Sequence, residues 1–372
     1  DADLVVSLVK LQLSDFRNIQ HASLALSPGL NILVGSNGSG KTSVLEAIHY
    51  LGLGRSFRTH LTGRVIRQGE RAFTLFAQCE LEGRQVPIGL AKDKGGETQL
   101  KIAGAQAQRL ADLAELLPVQ LIHPDGFSLL TGGPQARRAW LDWGVFHQEP
   151  TFFSLWGRVR RLLKQRNALL RQSTQYRQLA FWDQELVRLG GELAGFRASY
   201  CQAITPLIKE MTADFLPEFD ISLGFYRGWE KDTPLDALLE AGFERDRSLG
   251  YTGVGPQKAD VRLKANGVPA QDILSRGQLK LLVCAMRLAQ GLYLNQHSSR
   301  GCIFLIDDFA SELDVDKRRL LAARLKQCAS QVFITAIDTG QLADMMDASD
   351  CKLFHVEQGK ISETLEKAES KL

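Results

Sequence analysis

The chain has 372 residues, 44% hydrophobic and 23% charged, with a formal net charge of +3, a length that suits roughly two domains of ordinary size. No run approaches the ~18 apolar residues of a membrane-spanning helix, and the opening Asp1-Ala2-Asp3-Leu4-Val5-Val6 carries acids where a secretory signal is basic. The six cysteines (Cys79, Cys201, Cys284, Cys302, Cys328 and Cys351) lie far apart with no C-x-x-C pair. That argues against a disulfide framework and a zinc site, and for reduced, buried thiols in a cytoplasmic protein with no membrane partner.

Residues 8–13 and 30–34 read as strands, the second running into a glycine-rich loop. Residues 41–51 read as a helix with Val44, Leu45, Ile48 and Leu51 on one face, ended by Gly52 and Gly54. Alternation over 73–102, broken by turn signals at Glu82-Gly83 and Gly95-Gly96, predicts an antiparallel meander. Strand signals almost vanish over 134–217, where long helical patterns rich in Leu, Arg and Gln take over. A short β stretch follows, including 261–268 around the hairpin dipeptide Asn266-Gly267. The last hundred or so residues alternate again, with a helix after Gly277, strands over 302–306 and 331–336, and a hairpin near Gln358-Gly359.

Gly35-Ser36-Asn37-Gly38-Ser39-Gly40-Lys41-Thr42 completes G-x-x-x-x-G-K-[ST] between a predicted strand and a predicted helix, the setting a phosphate-binding loop requires. Its glycines let backbone N–H groups turn inward round nucleotide phosphates, and the helix N-terminus adds partial positive charge. Lys41 then reaches the β and γ oxygens, and the Thr42 hydroxyl suits Mg2+, so ATP with Mg2+ is the expected ligand. Residues 302–306 form a continuous apolar run, as a strand buried on both faces of a parallel sheet does, and they end in Asp307-Asp308. Ligands of open α/β sheets sit at such strand ends. Asp307 is expected to accompany Mg2+, and Asp308 to orient or deprotonate the attacking water.

Leu274-Ser275-Arg276-Gly277-Gln278 opens a long amphipathic helix and on its own need be no more than an N-cap. It resembles the LSGGQ signature of ABC-type ATPases, and Ser311-Glu312-Leu313-Asp314 resembles their D-loop. The resemblance implies a head-to-tail homodimer with two ATP molecules sandwiched. Ser275, Arg276, Gly277 and Gln278 would face the nucleotide of the other protomer, with Ser311 and Asp314 beside them. A capped helix terminus is physically suited to that task.

Asp15-Phe16-Arg17-Asn18, Gly54-Arg55-Ser56-Phe57-Arg58, Gly132-Gly133-Pro134, Arg137-Arg138, Leu141-Asp142 and residues 274–280 are similar, in order and spacing, to stretches of RecF proteins, bacterial ABC-type ATPases of DNA repair and replication. The likeness runs from Leu8 to about Ile361, and roughly 230 residues separate Lys41 from Ser275. It implies an α/β ATPase head assembled from an N-terminal part (1–130, with an antiparallel β subdomain) and a C-terminal part (251–372), interrupted by a mainly helical lobe (131–250). It also implies Arg17 and Asn18 at the nucleotide, partnership with RecR and RecO, recombinase loading at single-strand gaps and stalled forks, and support of SOS induction. Three positions depart from the usual pattern. Asp308 stands where transporters have Glu, Ile337 where many relatives have a switch His, and Gln257 where RecF sequences commonly have His. No clear Q-loop glutamine is present, and Asp125 is a positional candidate only. Slow hydrolysis acting as a timer is the expectation.

Between Pro150 and Trp182 lie seven Arg or Lys and no acid, which leaves the rest of the chain net negative. At helical spacing Val159, Leu162, Leu163, Leu169 and Leu170 share an arc, with Arg160, Arg161, Lys164 and Arg171 opposite and Arg166 inside the apolar arc. The four outward residues are the expected DNA contacts, against the plainer reading of a solvated face, and Arg166 is expected to be structural. Two other functions stay open: the ATPase subunit of a membrane transporter, and a P-loop kinase of a small metabolite.

Overall fold

The computed structural model describes residues 5–298, 300–343, 345 and 350–364; Asp1 to Leu4 of the acidic opening lie outside them. Its strands are β1 (Ser7–Phe16), β2 (Ile19–Ala25), β3 (Leu30–Val34), β4 (Ala72–Leu81), β5 (Arg84–Asp93), β6 (Thr98–Ile102), β7 (Ala105–Ala107), β8 (Val119–Ile122), β9 (Ile221–Tyr226), β10 (Asp260–Ala265), β11 (Val268–Pro269), β12 (Ile303–Asp307), β13 (Gln331–Ala336), β14 (Cys351–Glu357) and β15 (Lys360–Thr364). The chain divides into two compact units. One comprises the segments up to Gly126 and from Met286 onward, the other Phe127–Ala285.

The first unit holds two six-stranded sheets. In the order β15-β14-β3-β13-β12-β8, all neighbours are parallel except the β14–β15 hairpin. Every residue of β3 and β12 is buried, which is why residues 302–306 read as an unbroken apolar run, while β3 also buries Asn31, whose side chain accepts the Ser27 N–H and donates to Ser27 O. β13 lies between them, so the carboxyl ends of β3, β13 and β12 deliver the glycine-rich loop, Thr335 and Asp307-Asp308 to one edge. The other sheet, β2-β1-β4-β5-β6-β7, is antiparallel and larger than the predicted meander, because β1 and β2 join it. Glu82 and Gly83 both have positive φ (52° and 73°), as a tight two-residue hairpin turn demands.

The helix Lys41–Leu53 buries the predicted face, with Val44, Leu45, Ile48 and Leu51 fully inaccessible, against Leu8, Leu11 and Leu13 of β1 and Phe73 of β4. Each such side chain contributes about 1.5–3 kcal/mol. Gly54 ends it in the left-handed region at φ 72° and donates its N–H to Tyr50 O.

The second unit is built on the helices Pro134–Gln148, Phe152–Leu170 and Ala180–Phe215 with the sheet β11-β10-β9. The expected division at 250/251 does not coincide with its boundary. β10 pairs along its whole length with β9, from Asp260↔Tyr226 to Ala265↔Ile221, and so residues 251–285 group with the helices.

Candidate functional site

The loop between β3 and the helix Lys41–Leu53 has the geometry of an anion cradle. Gly38 and Gly40 adopt φ of 79° and 113°, open to glycine and strained for other residues. A Cβ on Gly35 would stand 2.5 Å from both Ser39 Oγ and Val356 O. Ser36, Asn37 and Gly38 are exposed, while Ser39 and Gly40 are buried. The helix start has no side-chain cap and no acid in its first turn, so its N–H groups and dipole are left for a negative ligand.

Lys41, only 2% exposed, places Nζ 2.7 Å from Asp308 Oδ1. Thr42 Oγ1 donates to Asp307, 3.0 Å from Oδ1 and 3.3 Å from Oδ2. Thr335 of β13, which the sequence did not single out, donates to Asp307 Oδ1 at 2.6 Å and accepts the Asp308 N–H at 3.1 Å. One hydroxyl therefore fixes both acids. Burial pushes the Asp307 carboxyl above its ordinary range, against the hydrogen bonds from Thr335 and Thr42, and neighbouring Asp308 adds to the rise. Asp308 itself has φ of 49°, an uncommon left-handed conformation that turns its side chain to Lys41.

Arg17 and Asn18, in the tight turn between β1 and β2, meet the same loop. Asn18 Nδ2 donates to Ser39 O at 3.2 Å and to Gly38 O at 3.5 Å. Arg17 makes a two-pronged bond to Glu46, Nε–Oε1 and Nη2–Oε2 both at 2.8 Å. Glu46 is wholly buried in the helix Lys41–Leu53, also accepts from Ser56 Oγ, and has Arg58 Nη1 at 3.9 Å. Lys41, Arg17, Arg58, Arg64, Arg67 and Lys94 are the cations lining a cavity of about 900 Å³ that has no carboxylate in its lining. Its size suits a small-molecule ligand, and its charge suits a polyanion.

The signature residues belong to the other unit, at the start of the helix Arg276–His297. Ser275, Arg276 and Gly277 are exposed. Ser275 and Gln278 form a reciprocal cap, with Gln278 N–H to Ser275 Oγ at 3.2 Å and Ser275 N–H to Gln278 Oε1 at 2.9 Å. Arg276 lies over the Phe127 ring, 5.1 Å from its centroid. In the first unit, Ser311 Oγ donates to Asp308 O at 3.2 Å, and Asp314 caps the helix Val315–Cys328 by accepting the Lys317 N–H at 2.8 Å. Asp125 is exposed in the turn after β8, and Ile337, 52% exposed, follows β13.

On the helix Phe152–Leu170 and at its end, Arg160, Arg161, Lys164 and Arg171 are all exposed, and none has an ion-pair or hydrogen-bond partner among the described residues. Arg166 is 1% exposed. Its Nε donates to Asp183 Oδ1 at 2.6 Å, and its Nη1 to Asp246 Oδ2 and Thr252 Oγ1, both at 3.0 Å. It is the structural arginine that its place in the apolar arc implied.

Residues 7–362 match the family described as RecF/RecN/SMC N terminal domain. A DNA replication and repair protein RecF from Edwardsiella ictaluri (strain 93-146) is 55% identical over 358 residues, covering 96% of this chain and 100% of its own, and one from Escherichia coli O1:K1 / APEC is 54% identical over the same coverage. Among solved structures, the recombination mediator RecF with ATP superimposes at a TM-score of 0.87 with 21% identity, covering 97% of this chain and 98% of its own. An Smc head domain from Pyrococcus furiosus does so at 0.58 with 14% identity, covering 97% of this chain and 96% of its own. Those likenesses establish the expected α/β fold of RecF and Smc heads. Identity spread over the full length of RecF relatives overturns the transporter-subunit reading, and it leaves the metabolite-kinase reading without support. The chain belongs to the RecF family of DNA replication and repair proteins.

Proposed function

We propose that the chain is a slow ATPase whose ATP-bound form closes as a homodimer on DNA and whose hydrolysis releases it. The observation that carries this reading is the convergence of Lys41, Thr42, Asp307 and Asp308 at one edge of the parallel sheet. The likeness to RecF bound to ATP supports it. The 35–42 loop would wrap the phosphates, with Asn18 stiffening it from behind and Arg17 on the cavity wall. Thr42 and Asp307 supply the hydroxyl and carboxylate that Mg2+ takes alongside phosphate oxygens, and the metal would neutralise charge there.

Lys41 holds Asp308 until a nucleotide competes for its ammonium, and Asp308 is then free to accept a proton from water. Its short reach and the lack of an imidazole at Ile337 support a timer in place of a fast motor. The exposed, capped start of the helix Arg276–His297 offers Ser275, Arg276, Gly277 and Gln278 as a second anion site for the partner's nucleotide, with Ser311 and Asp314 near the seam. Arg160, Arg161, Lys164 and Arg171 would hold DNA phosphates. Recombinase loading at gaps and stalled forks, partnership with RecR and RecO, and support of SOS induction in the cytoplasm rest on family membership.

Sedimentation tests the switch. The wild type should become a dimer with ATP and Mg2+, with DNA sharpening the shift, and Lys41→Ala should stay a monomer. A wild type that remains monomeric with ATP under all these conditions rules the mechanism out.

A further inference from the structure

The segment Gly255-Pro256-Gln257-Lys258-Ala259-Asp260 takes no part in the nucleotide chemistry, yet almost all of it is fastened down. Gly255 N–H donates to Gly228 O at 3.1 Å, Arg197 donates to Pro256 O at 2.6 Å, and Arg138 donates to Ala259 O at 3.0 Å. Arg137 clasps Asp260 at 2.7 and 3.2 Å, and Gln257 Nε2 donates to Thr252 O and Val254 O at 3.3 and 3.1 Å. Lys258 alone of the six is exposed. Its ammonium stands 5.3 Å from the centroid of the Tyr251 ring, which is itself 46% exposed.

Tyr251 is mounted on the basic helix. The next residue, Thr252, is buried and bonded through its hydroxyl to Arg166 and Asn167, at 3.0 and 2.6 Å. The preceding Gly250 turns through a left-handed φ of 81°, and a Cβ there would lie 3.8 Å from Arg171 Nε. An exposed aromatic ring with an ammonium over it thus follows Gly250, beside which lies the Arg171 guanidinium, with no partner among the described residues.

We propose that Tyr251, with Lys258 over its ring and Arg171 near the preceding Gly250, is a stacking platform for an unpaired base of single-stranded DNA. This rests on the reading of the Phe152–Leu170 helix as the phosphate-binding face, and it deepens that reading. A duplex hides the faces of its bases in its own stack, so phosphate contacts bind it without using an aromatic ring. A single strand offers a π-face beside each phosphate, matching an exposed ring that has an ammonium over one face and its other face for a base. A held, half-exposed tyrosine loses little freedom on stacking, and base–aromatic stacking is worth about 1–3 kcal/mol per base, roughly a 5- to 150-fold gain in affinity.

The test is equilibrium binding of the full chain to a labelled blunt duplex and to the same duplex with a single-stranded tail. The wild type should bind the tailed DNA more tightly. Tyr251→Ala should lose at least fivefold of the tail's gain with blunt binding unchanged, and Tyr251→Phe should keep it. A wild type indifferent to the tail, a gain that survives Tyr251→Ala, or an equal loss on both DNAs overturns the platform. A wild type that binds neither DNA, or blunt binding unaffected when Arg160, Arg161, Lys164 and Arg171 are all alanine, overturns the phosphate-binding reading instead.

Discussion

Replacing Arg166 with methionine separates the two kinds of basic residue on one helix. The side chain is 1% exposed and faces Asp183 and Asp246, themselves 1% and 0% exposed, across bonds of 2.6 and 3.0 Å. Arg166→Met keeps most of the volume and takes the guanidinium from two buried carboxylates, leaving Asp246 only the exposed Arg245 at 3.9 Å. Breaking a buried pair in this way costs about 3–5 kcal/mol, a large share of the 5–15 kcal/mol that holds a typical domain. Arg166→Met with Asp183→Asn and Asp246→Asn should recover most of the stability, because no charge is then left buried. Arg160→Met, on the exposed face, should change stability by less than about 0.5 kcal/mol. All five tryptophans (Trp140, Trp143, Trp156, Trp182 and Trp229) lie in the unit Phe127–Ala285. Urea unfolding followed by tryptophan fluorescence therefore reads that unit alone. An Arg166→Met transition within about 0.5 kcal/mol of wild type would refute the reasoning.

Glu46→Gln should raise the dissociation constant for ATP about tenfold, or ~1.4 kcal/mol, by loosening Arg17 and Arg58 at the cavity wall, with less effect on turnover; titration of a fluorescent ATP analogue reads it, and an unchanged constant contradicts the role. His49 is pushed down from the usual 6.5 to about 3, chiefly by burial. It is neutral in the fold while the unfolded chain takes up a proton below 6.5, so its contribution is complete above that pH and is lost as pH falls toward 3. Stability of the first unit should drop by about 2 kcal/mol between pH 7 and 5 on this account alone. Chemical denaturation followed by circular dichroism should find that slope reduced in His49→Asn, which retains a donor for Arg55 O.

What could be read from the sequence follows how local each feature is. The phosphate loop is eight contiguous residues, and β12 announces burial on both faces through the unbroken apolar run 302–306, so both were visible. β8 was not, because Val119–Ile122 is four residues long and contains Gln120, whose burial is made acceptable by Gln290 at 2.8 Å and Arg287 at 3.2 Å. Glu46 lies in a helix buried on nearly every side, where periodicity does not mark one acid among the buried residues. Thr335 is an ordinary strand threonine until β13 sets it between the two acids' strand and the loop. The cavity cations come from separate turns, loops and helices between Arg17 and Lys94, and only the fold gathers them. Arg166 gave half a signal. Its place among leucines marked it as structural, but its partners stand 17 and 80 residues away.

The composite site is tested most directly by mixing two inactive variants. Lys41→Ala removes the ammonium of the phosphate loop, and Ser275→Arg blocks the start of the signature helix; each alone should show negligible ATPase activity. A symmetric pair built from one of each contains one intact site, made of Lys41 from one protomer and Ser275 from the other, so an equal mixture should regain about a quarter of wild-type activity. Full activity in Ser275→Arg alone, or a mixture no more active than its parts, would contradict a site shared between two molecules.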